Sequence, residues 1–524
     1  MREEAARSSF HYGRHDDGNA RVNLADLLRT GAGERAALIV PAGPTLSYAS
    51  LRRSANALAA GLAARGIAPG ARVCASFGNG AEIVVAFFGT AFARATFAPL
   101  NSAYTEDEFR FYLDDIAPAL LLLAPGAVPA ARAAANAAGI PLAELSLDPD
   151  GTVVLDGARL PQAAEAVPRD GDVALFLHTS GTTSHPKGVP LTHGNLCASA
   201  GNIVRWYDLH ERDVSLCVMP LFHVHGLVFS TFAMLAAGAS VVIPPKFSAS
   251  AFWPAVRDFR VTIVSAVPTI YRTLLLRADE DGAPGPGEHG LRFLRSSSAP
   301  LPAVEMERLE ARFGVPVIEA YSMTEASHQM CANPLRGERR AGSVGVGAFV
   351  DVAILDELGN ELPPGNVGEV SVRGPNVTPG YHNNPDANAA AFTRGWFRTG
   401  DYGVLSGDGY LTLVGRLKEL INRGGEKISP VEIDDALLSH PGVAEAVAFA
   451  VPDEKYGEAV AAALVLRPGT ELESVLTHAR SRLASFKVPT SVFVVESIPR
   501  TATGKVQRRI VASELASSEP ARIG

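Results

Sequence analysis

A glycine-rich stretch carries the densest group of residues with chemical potential in this chain. Residues 176–196 read FLHTSGTTSHPKGVPLTHGNL. Hydroxyl side chains crowd a six-residue window around Gly181, at Thr179, Ser180, Thr182, Thr183 and Ser184. Backbone N–H groups, small hydroxyls and a single cation, Lys187, are the donors that can hold a polyphosphate. The stretch predicts a phosphate-binding loop, with an ordinary Ser/Thr-rich surface turn as the alternative.

The order of these residues excludes two common phosphate motifs. A Walker A loop needs a glycine, four residues and then Gly-Lys-Ser/Thr, whereas here Lys187 precedes Gly188. The sequence around Gly345 is not a dinucleotide fingerprint either, because Val350 occupies the position of the third glycine. The loop at 176–196 therefore belongs to another class of phosphate site.

Further polar motifs follow the loop along the chain. They read PLFHVHG (220–226), RSSSAPL (295–301), EAYSMTE (319–325), WFRTGD (396–401), GRLKELINRGGEKISPVEI (415–433) and PRTATGKVQRR (499–509). In this order they resemble the motifs of the adenylate-forming superfamily, which includes acyl-CoA synthetases, peptide-synthetase adenylation domains and firefly-type luciferases. Within it, SGTTSHPKGVPLT, TEASHQM, GPNVTPGYHNNPDAN and GRLKELINRGGEKISP are similar to the oxalate–CoA ligases.

The resemblance implies a two-step activation of a carboxylate, which by itself is a poor electrophile. Attack of the carboxylate on the α-phosphorus of ATP gives an acyl-adenylate and pyrophosphate, and AMP then leaves when the thiol of coenzyme A attacks. Catalysis of this kind rests on positioning and on charge neutralisation at the α-phosphate. The implied cofactors are ATP, Mg²⁺ and coenzyme A, and the implied substrate is a small carboxylate.

The resemblance also assigns nucleotide contacts to individual residues. The β- and γ-phosphates fall to Thr179, Ser180, Gly181, Thr182, Thr183 and Lys187. The adenine falls to Glu319, Ala320, Tyr321 and Ser322. An aromatic ring at Tyr321 suits stacking on a base. Thr324 would contact the α-phosphate, and Glu325 would hold Mg²⁺, which prefers carboxylate and phosphate oxygens.

Two nucleotide contacts are expected further along the chain. Asp401 would accept the ribose hydroxyls, and Arg416 would add a ribose or phosphate contact. Taken alone, Tyr321 could be a core residue, Asp401 could cap a turn, and Arg416 could be a solvated surface charge. Their places within the motifs favour the nucleotide roles.

The last motifs are assigned to the reaction itself and to a domain movement. Lys505 would bridge the acyl carboxylate and the α-phosphate, a task that suits a long, flexible ammonium group. Lys418 would be the hinge about which a small domain rotates after adenylation and withdraws Lys505. Gly424 and Gly425 would then let the backbone approach the pantetheine thiol closely. The alternative for Lys505 is a solvent-exposed lysine in a turn.

The acid is expected to bind among polar side chains. The segments that line this pocket in relatives supply His223, His225, Ser296, Ser297, Ser298 and His328. A second carboxylate in an apolar pocket would cost several kcal/mol unless it were paired, so this lining favours a small acid with two charges. By resemblance the acid contacts fall to His223, Ser297, Ser298, His328 and Lys505, and the catalytic set to Lys505, His223, Thr324 and Glu325. In malonyl-CoA synthetases an arginine in the pocket generally answers the second charge, and Arg295 lies near the right segment, just before the lining serines.

Four readings of the function remain open at this point. The first is oxalate–CoA ligase, and the second is a ligase for malonate or another short acid. The third is a stand-alone adenylation domain that loads a carrier protein, for which no carrier-like module follows Gly524. The fourth is a non-catalytic AMP-binding sensor, which would be expected to have lost Lys505 or Glu325.

The elements that must position these residues follow from the pattern of apolar residues. Over residues 45–340, short β-branched runs alternate with Ala/Leu-rich segments, as in ASVVIPP, ASAFWPAVRDFR and VTIVSAVP, which is typical of parallel α/β layers. We expect an α/β protein with a large N-terminal domain, residues 1–417, made of two α/β subdomains and a β-rich, distorted-barrel subdomain at about 341–415. Residues 418–524 would form a small, mobile α+β C-terminal domain.

Composition excludes several classes of protein. With 524 residues, 47% of them hydrophobic and 19% charged, the chain is neither disordered nor coiled-coil. A net charge of −8 gives no footprint of nucleic-acid binding. Four cysteines without a CxxC pair indicate neither a disulfide framework nor a zinc ribbon. No run of about 20 unbroken apolar residues is present, and the polar N-terminus does not resemble a signal peptide, so we expect a cytoplasmic protein without a membrane span.

Overall fold

A computed structural model describes residues 23–179, 186–416, 419–424, 426–453, 455–500 and 506–515. Within these residues, two large sheets build most of the molecule. Their strands are β1 (Ala36–Ile39), β2 (Thr45–Ser47), β3 (Arg72–Ser76), β4 (Thr96–Pro99), β5 (Leu120–Leu123), β6 (Leu142–Leu147), β7 (Val153–Leu155), β8 (Ala158–Arg159), β9 (Val173–Thr179), β10 (Lys187–Thr192), β11 (Val214–Leu216), β12 (Ser240–Val242), β13 (Ile263–Ala266), β14 (Phe293–Ser296), β15 (Val317–Met323), β16 (His328–Ala332) and β17 (Val346–Gly347).

In the described part of the chain, one sheet has nine strands and the other has eight. The nine-stranded sheet runs β17-β16-β15-β14-β13-β11-β12-β1-β2, and the eight-stranded sheet runs β10-β9-β4-β3-β5-β6-β7-β8. The central strands pair in parallel and the edges carry antiparallel hairpins, for example β9 with β10 and β15 with β16. Strands such as β5 and β13 are buried at every residue, because helices cover both faces of a parallel sheet.

Helices connect the strands and separate the two sheets. They are α1 (Leu24–Leu27), α2 (Tyr48–Ala64), α3 (Ala81–Phe92), α4 (Glu106–Ile116), α5 (Pro129–Ala137), α6 (His193–Trp206), α7 (Met234–Ala236), α8 (Ala249–Asp258), α9 (Pro268–Leu276) and α10 (Ala303–Phe313), with a π-helical segment at His225–Ala233. The largest apolar core joins α2, α3, α6 and the π-helical segment to both sheets. Helices α8 to α10 pack on the far face of the nine-stranded sheet, and α4 and α5 on that of the eight-stranded sheet.

Local sequence signals explain where several of these helices begin. Helix α4 starts with a capping box, in which Thr105 and Glu108 each bind the other's backbone N–H. Thr192 and Asn195 form the same arrangement at the start of α6, directly after β10. Helix α9 begins with Pro268 at its first position, where the missing N–H is not needed. These caps fix the points at which the chain turns from a strand into a helix.

A five-stranded antiparallel sheet follows in the described residues after β17. It contains β18 (Asp351–Leu355), β19 (Val367–Arg373), β20 (Phe392–Thr393), β21 (Trp396–Leu405) and β22 (Leu411–Arg416), with α11 (Pro385–Ala391). The last part of the chain forms a separate α+β unit. It contains β23 (Ile421–Arg423), β24 (Glu426–Ile428), β25 (Val443–Asp453), β26 (Gly457–Leu466), β27 (Ser491–Val494), α12 (Pro430–Leu438), α13 (Leu472–Arg482) and α14 (Arg508–Leu515).

This architecture confirms the α/β fold class with a large N-terminal and a small C-terminal part. The C-terminal unit has its own apolar cores on the two faces of its sheet. The hinge predicted at Lys418 lies outside the described residues, and the boundary at 417/418 stays a prediction. Among the described helices, none combines the length and apolar composition needed to cross a bilayer.

Candidate active site

The neck of the predicted phosphate loop is an antiparallel hairpin. Thr179, the last residue of β9, pairs with Lys187, the first residue of β10. The pairing places both at the same end of the eight-stranded sheet, at its edge. The Lys187 Nζ lies 4.5 Å from the ring centroid of Tyr381, a geometry in which the ring face attracts the cation. The other predicted loop residues, Ser180, Gly181, Thr182 and Thr183, lie outside the described residues.

Tyr381 also reaches the predicted magnesium ligand. Its hydroxyl donates to Glu325 Oε1 at 3.0 Å, and the Glu325 carbonyl accepts from the Thr378 backbone N–H at 2.7 Å. Glu325 lies in a one-turn 3₁₀ helix, Thr324–Ala326, at the tip of the β15–β16 hairpin. Burial raises the pKa of the Glu325 carboxyl. A cation from one sheet and a carboxylate from the other thus meet on a single tyrosine.

The predicted ribose contacts lie side by side because of strand register. Asp401 on β21 pairs with Arg416 on β22, and Arg416 Nε donates to Asp401 Oδ1 at 3.2 Å. Asp401 Oδ2 accepts from the Tyr321 hydroxyl. Burial and then the Asp401 carboxylate raise the pKa of Tyr321. The structure therefore brings Tyr321, Asp401 and Arg416 from two different sheets into one cluster.

The rest of the predicted adenine segment lies along β15, where Glu319 and Ala320 are buried and Ser322 is half-buried. The Ser297 hydroxyl donates to the Ala320 carbonyl at 2.9 Å and lies 2.9 Å from the Ser322 Oγ. Glu319 Oε1 accepts from the Leu301 backbone N–H at 2.9 Å. Burial raises the pKa of Glu319 to about 8. These bonds tie the serine-rich motif that contains Ser297 to the strand that precedes Thr324.

A second polar cluster lies next to this segment and contains the expected acid-binding residues. His225 Nδ1 lies 3.0 Å from the Ser298 Oγ, and His225 Nε2 lies 2.7 Å from the Ser265 Oγ. The His225 and His328 rings are 5.2 Å apart between centroids. His225 and His328 are buried, and Ser298 is half-buried. We call His225, Ser265, Ser298 and His328 the histidine–serine cluster.

Two members of this cluster, Ser298 and His328, have strained backbone conformations. Ser298 has φ +72°, and His328 follows Ser327 with φ values of +107° and +51°. Residues with a Cβ rarely adopt this left-handed region, and each such residue costs on the order of 1–3 kcal/mol. Strain of this kind persists where the surrounding structure fixes the backbone and is concentrated at functional sites.

Comparison with known proteins supports one family. The model of the AMP-binding enzyme family matches residues 29–382, and that of the AMP-binding enzyme C-terminal domain matches residues 432–505. The chain belongs to the AMP-binding enzyme family. It is 48% identical over 491 residues to an oxalate–CoA ligase of Arabidopsis thaliana, covering 91% of this chain and 95% of the relative.

Another relative and a solved structure agree with this assignment. The chain is 48% identical over 506 residues to a probable CoA ligase of Humulus lupulus, covering 94% of this chain and 96% of the relative. The structure of ATP-bound MatB from Rhodopseudomonas palustris superposes with a TM-score of 0.86 at 32% identity, covering 95% of this chain and 99% of that one. ATP, Mg²⁺ and coenzyme A are the cofactors of CoA ligases in this family.

The residues present fit magnesium held together with a nucleotide. Among the described residues, no group of three or more His, Cys, Asp or Glu side chains could form a metal centre. Mg²⁺ in nucleotide sites is usually bound by one or two carboxylates plus substrate phosphates and water. The buried Glu325, next to Tyr381 and Lys187, suits that arrangement.

The other predicted residues have their own surroundings or lie outside the described residues. His223 is half-buried with its ring 4.5 Å from that of Phe222, ahead of the π-helical segment. Gly424 occupies the turn between β23 and β24 with φ +60°, so the turn itself demands a glycine there. Lys418, Gly425 and Lys505 lie outside the described residues. Their roles stay predictions.

The structure also reveals residues that sequence reasoning did not place at the site. Tyr381 stands in the motif GPNVTPGYHNN, which supported the family resemblance without a role for the tyrosine. Arg295 was expected just before the lining serines, and it lies directly behind the histidine–serine cluster, with Nη1 3.1 Å from the Ser265 Oγ. A signal for Arg295 was available, since a charged residue inside the apolar strand FLRS must be held by buried polar partners.

Proposed function

We propose that this protein is an ATP-dependent oxalate–CoA ligase, which forms oxalyl-CoA, AMP and pyrophosphate. The observation that carries the proposal is the histidine–serine cluster, in which the buried His225, Ser265 and His328 accompany the half-buried Ser298 and no member is a carboxylate. Such a cluster offers polar contacts to a small acid with two carboxylates, whereas a long apolar acid would place hydrocarbon against imidazole and hydroxyl groups. The 48% sequence identity to an oxalate–CoA ligase, over an alignment that covers 91% of this chain, supports the same substrate.

In the first half-reaction, one carboxylate oxygen of the acid forms a bond to the α-phosphorus of ATP. The bond from that phosphorus to the bridging oxygen of pyrophosphate breaks, and pyrophosphate leaves. Lys187 and the residues of the phosphate loop would hold the departing phosphates, and Lys505 would bridge the two reacting groups. Glu325 would hold Mg²⁺, which supplies positive charge to the phosphate oxygens when bound. Asp401 and Arg416 would fix the ribose, and so the direction of the α-phosphate.

In the second half-reaction, the thiol sulfur of coenzyme A bonds to the acyl carbon and the bond from that carbon to the AMP oxygen breaks. The thiol proton passes to solvent. Rotation of residues 418–524 about Lys418 would withdraw Lys505 and present Gly424 and Gly425 to the site. Withdrawal of the lysine would clear the path by which the thiol approaches the acyl carbon.

A panel of acids tests the proposed substrate. Purified protein is assayed for pyrophosphate release with ATP, Mg²⁺ and coenzyme A, using oxalate, malonate, hexanoate and cinnamate as acids. We expect oxalate to give the highest kcat/KM and a mass consistent with oxalyl-CoA. A higher kcat/KM for hexanoate or cinnamate would contradict the proposal, and a preference for malonate would mean that the substrate is another short diacid.

A cytoplasmic location is part of the proposal.

A further inference from the structure

A buried arginine lies behind the histidine–serine cluster without a carboxylate partner among the described residues. Arg295 on β14 is fully buried. Its guanidinium carbon lies 4.4 Å from the Phe229 ring centroid, and its Nε donates to the Tyr207 hydroxyl at 3.0 Å. Its Nη2 has no hydrogen-bond partner in the part of the chain that the structure describes. A buried cation without an anion costs free energy, and the contacts with Phe229, Tyr207 and Ser265 offset that cost.

The partners of the Ser265 hydroxyl indicate its direction, because among the described residues Arg295 can only donate to Ser265 Oγ and His225 Nε2 is its other hydrogen-bond partner. Arg295 Nη1 can only donate, and it donates to Ser265 Oγ at 3.1 Å. The Ser265 hydroxyl hydrogen is then left for another acceptor. The ring nitrogen His225 Nε2, at 2.7 Å from Ser265 Oγ, is in position to accept it. Ser265 thus donates to His225 while it accepts from Arg295.

This direction determines the tautomer of His225. If Nε2 accepts from Ser265, the ring proton of the neutral imidazole resides on Nδ1. The Nδ1–H then donates to the Ser298 Oγ at 3.0 Å. The hydroxyl hydrogen of Ser298, a half-buried residue, is therefore free of His225 and available to an acceptor in the pocket.

We propose that Arg295 is a positioning residue for acid recognition: through Ser265 it holds His225 as the Nδ1–H tautomer, so that Ser298 donates its hydroxyl hydrogen to a carboxylate of the acid. The proposal deepens the proposed function and rests on it for the identity of the acid. It assigns specificity to a chain of three hydrogen bonds that begins outside the pocket lining. Ligands with a carboxylate near Ser298 are favoured over those with a neutral apolar group there.

The direct test is the tautomer itself, which does not depend on the substrate. Protein labelled with ¹⁵N-histidine is studied by NMR, and the His225 signal is assigned as the one lost in His225→Asn among the 13 histidines of the chain. We expect a protonated Nδ1 and an unprotonated Nε2 in the wild type, and a mixture of tautomers in Ser265→Ala. A proton on Nε2 in the wild type would overturn the proposal.

The kinetic test separates acid binding from nucleotide binding. In Ser265→Ala we expect KM for the best acid of the wild type to rise about tenfold, the loss of one charge-assisted hydrogen-bond relay, while KM for ATP stays within about twofold. Ser215→Ala is the matched control, because Ser215 is a buried serine on the adjoining strand β11 whose hydroxyl has no hydrogen-bond partner among the described residues. Unchanged acid KM in Ser265→Ala, or an equal rise in KM for ATP, would overturn the proposal.

Substitutions of His225 and Arg295 provide further readouts. The amide nitrogen of asparagine occupies the Nδ1 position, whereas that of glutamine occupies the Nε2 position, so His225→Asn should retain more acid affinity than His225→Gln. Arg295→Lys keeps one donor for Ser265 and should retain more affinity than Arg295→Met. The reverse order in either pair would contradict the relay. If oxalate failed in the acid panel, only the proposed identity of the substrate would be wrong. The relay is tested separately, because the tautomer is measured without substrate and the KM ratios with whichever acid the wild type prefers.

Discussion

At the scale of single residues, Tyr381 joins two charges that the sequence places far apart. Its ring contacts the Lys187 ammonium and its hydroxyl donates to Glu325. Lys187 lies on an edge strand of one sheet and Glu325 in a hairpin turn of the other, so Tyr381 holds the two charges close together. The ring and the hydroxyl make separable contributions, because one contacts the cation and the other the carboxylate.

Substitution of Tyr381 should weaken nucleotide and metal binding in two steps. Tyr381→Phe removes the hydrogen bond to Glu325 and is expected to raise KM for ATP about fivefold, the effect of about 1 kcal/mol. Tyr381→Leu also removes the ring beneath Lys187 and should raise KM further. Pyrophosphate release measured against ATP and Mg²⁺ concentrations checks both.

The control for Tyr381 is a tyrosine outside the site. Tyr410→Phe likewise removes one hydroxyl hydrogen bond, that to the Glu338 carbonyl at 2.7 Å, and should leave KM for ATP unchanged. If Tyr381→Phe matched Tyr410→Phe in KM for ATP, the role given to the Tyr381 hydroxyl would be wrong.

At the scale of elements, the start of the π-helical segment His225–Ala233 depends on a close backbone approach. A Cβ at Gly226 would lie 2.5 Å from the Pro220 carbonyl oxygen and 2.8 Å from that of Met219. Both obstacles are backbone atoms, so no side-chain rotation can relieve the contact. Gly226 therefore sets the position of the neighbouring His225, and π-helical turns are often found at functional sites.

Gly226→Ala should disturb both stability and acid binding. We expect a loss of about 1–3 kcal/mol of unfolding free energy, the range for an overpacked interior, together with a raised KM for the acid. Gly194→Ala is the matched control, because a Cβ at that helical glycine would meet only ordinary contacts of 3.5 Å or more. Thermal unfolding and acid titration of both variants make the comparison, and equal behaviour would refute the role of Gly226.

The positions of strands and helices were easier to predict from the sequence than the pairing of residues between strands. The strand–helix–strand pattern of residues 240–266 is confirmed by β12, α8 and β13, because apolar runs and their spacing are local properties. The pairing of Asp401 with Arg416 depends on the register of β21 and β22, which shifts at an irregularity between Tyr402 and Gly403. Local spacing does not contain that information.

Site residues that lie within a recognisable motif could be predicted from the sequence. Partners that are distant in the sequence and meet only in the folded protein could not. Lys187 and Glu325 were assigned from their motifs, whereas Tyr381 and Ser265 reach the site by folding. Arg295 was placed just before the lining serines, but its contact with Ser265 was not foreseen, because position in a sequence does not give the direction of a side chain. Its fully buried place behind Ser265 is a consequence of packing between β13 and β14.

At the scale of the whole molecule, the C-terminal unit faces helices α9 and α10 of the N-terminal part. A cleft of about 370 Å³ between them is lined by residues of both parts, including Arg272, Arg308, Leu438 and Arg467, and by none of the predicted catalytic residues. Asp435 on α12 lies near this boundary. Burial, and then Asp434, raise the pKa of Asp435 to about 7, with Arg508 opposing and Glu305 of α10 adding to the shift.

The raised pKa of Asp435 predicts a pH-dependent stability. The unfolded chain releases the Asp435 proton near pH 4, whereas the folded protein retains it until about pH 7, so the folded state loses stability as pH rises between these values. The advantage of Asp435→Asn over the wild type should grow through that window and level off above about pH 7.

Denaturant or thermal unfolding across pH 5 to 8.5 measures this effect. Asp258→Asn, at an exposed end of α8, should follow the wild type at every pH. A difference between Asp435→Asn and the wild type that stayed constant with pH would rule out the proposed titration.

The register between β21 and β22 has a mechanical consequence. Arg416 ends β22, two residues before the predicted pivot at Lys418, and its strand partner is Asp401. Rotation of the chain at the predicted pivot would separate β22 from β21 starting at the C-terminal end of β22. The first pair to separate would be Asp401 and Arg416, which are expected to bind the ribose. Release of AMP and rotation of the small domain would then be coupled, because the rotation itself would weaken the contacts to the ribose.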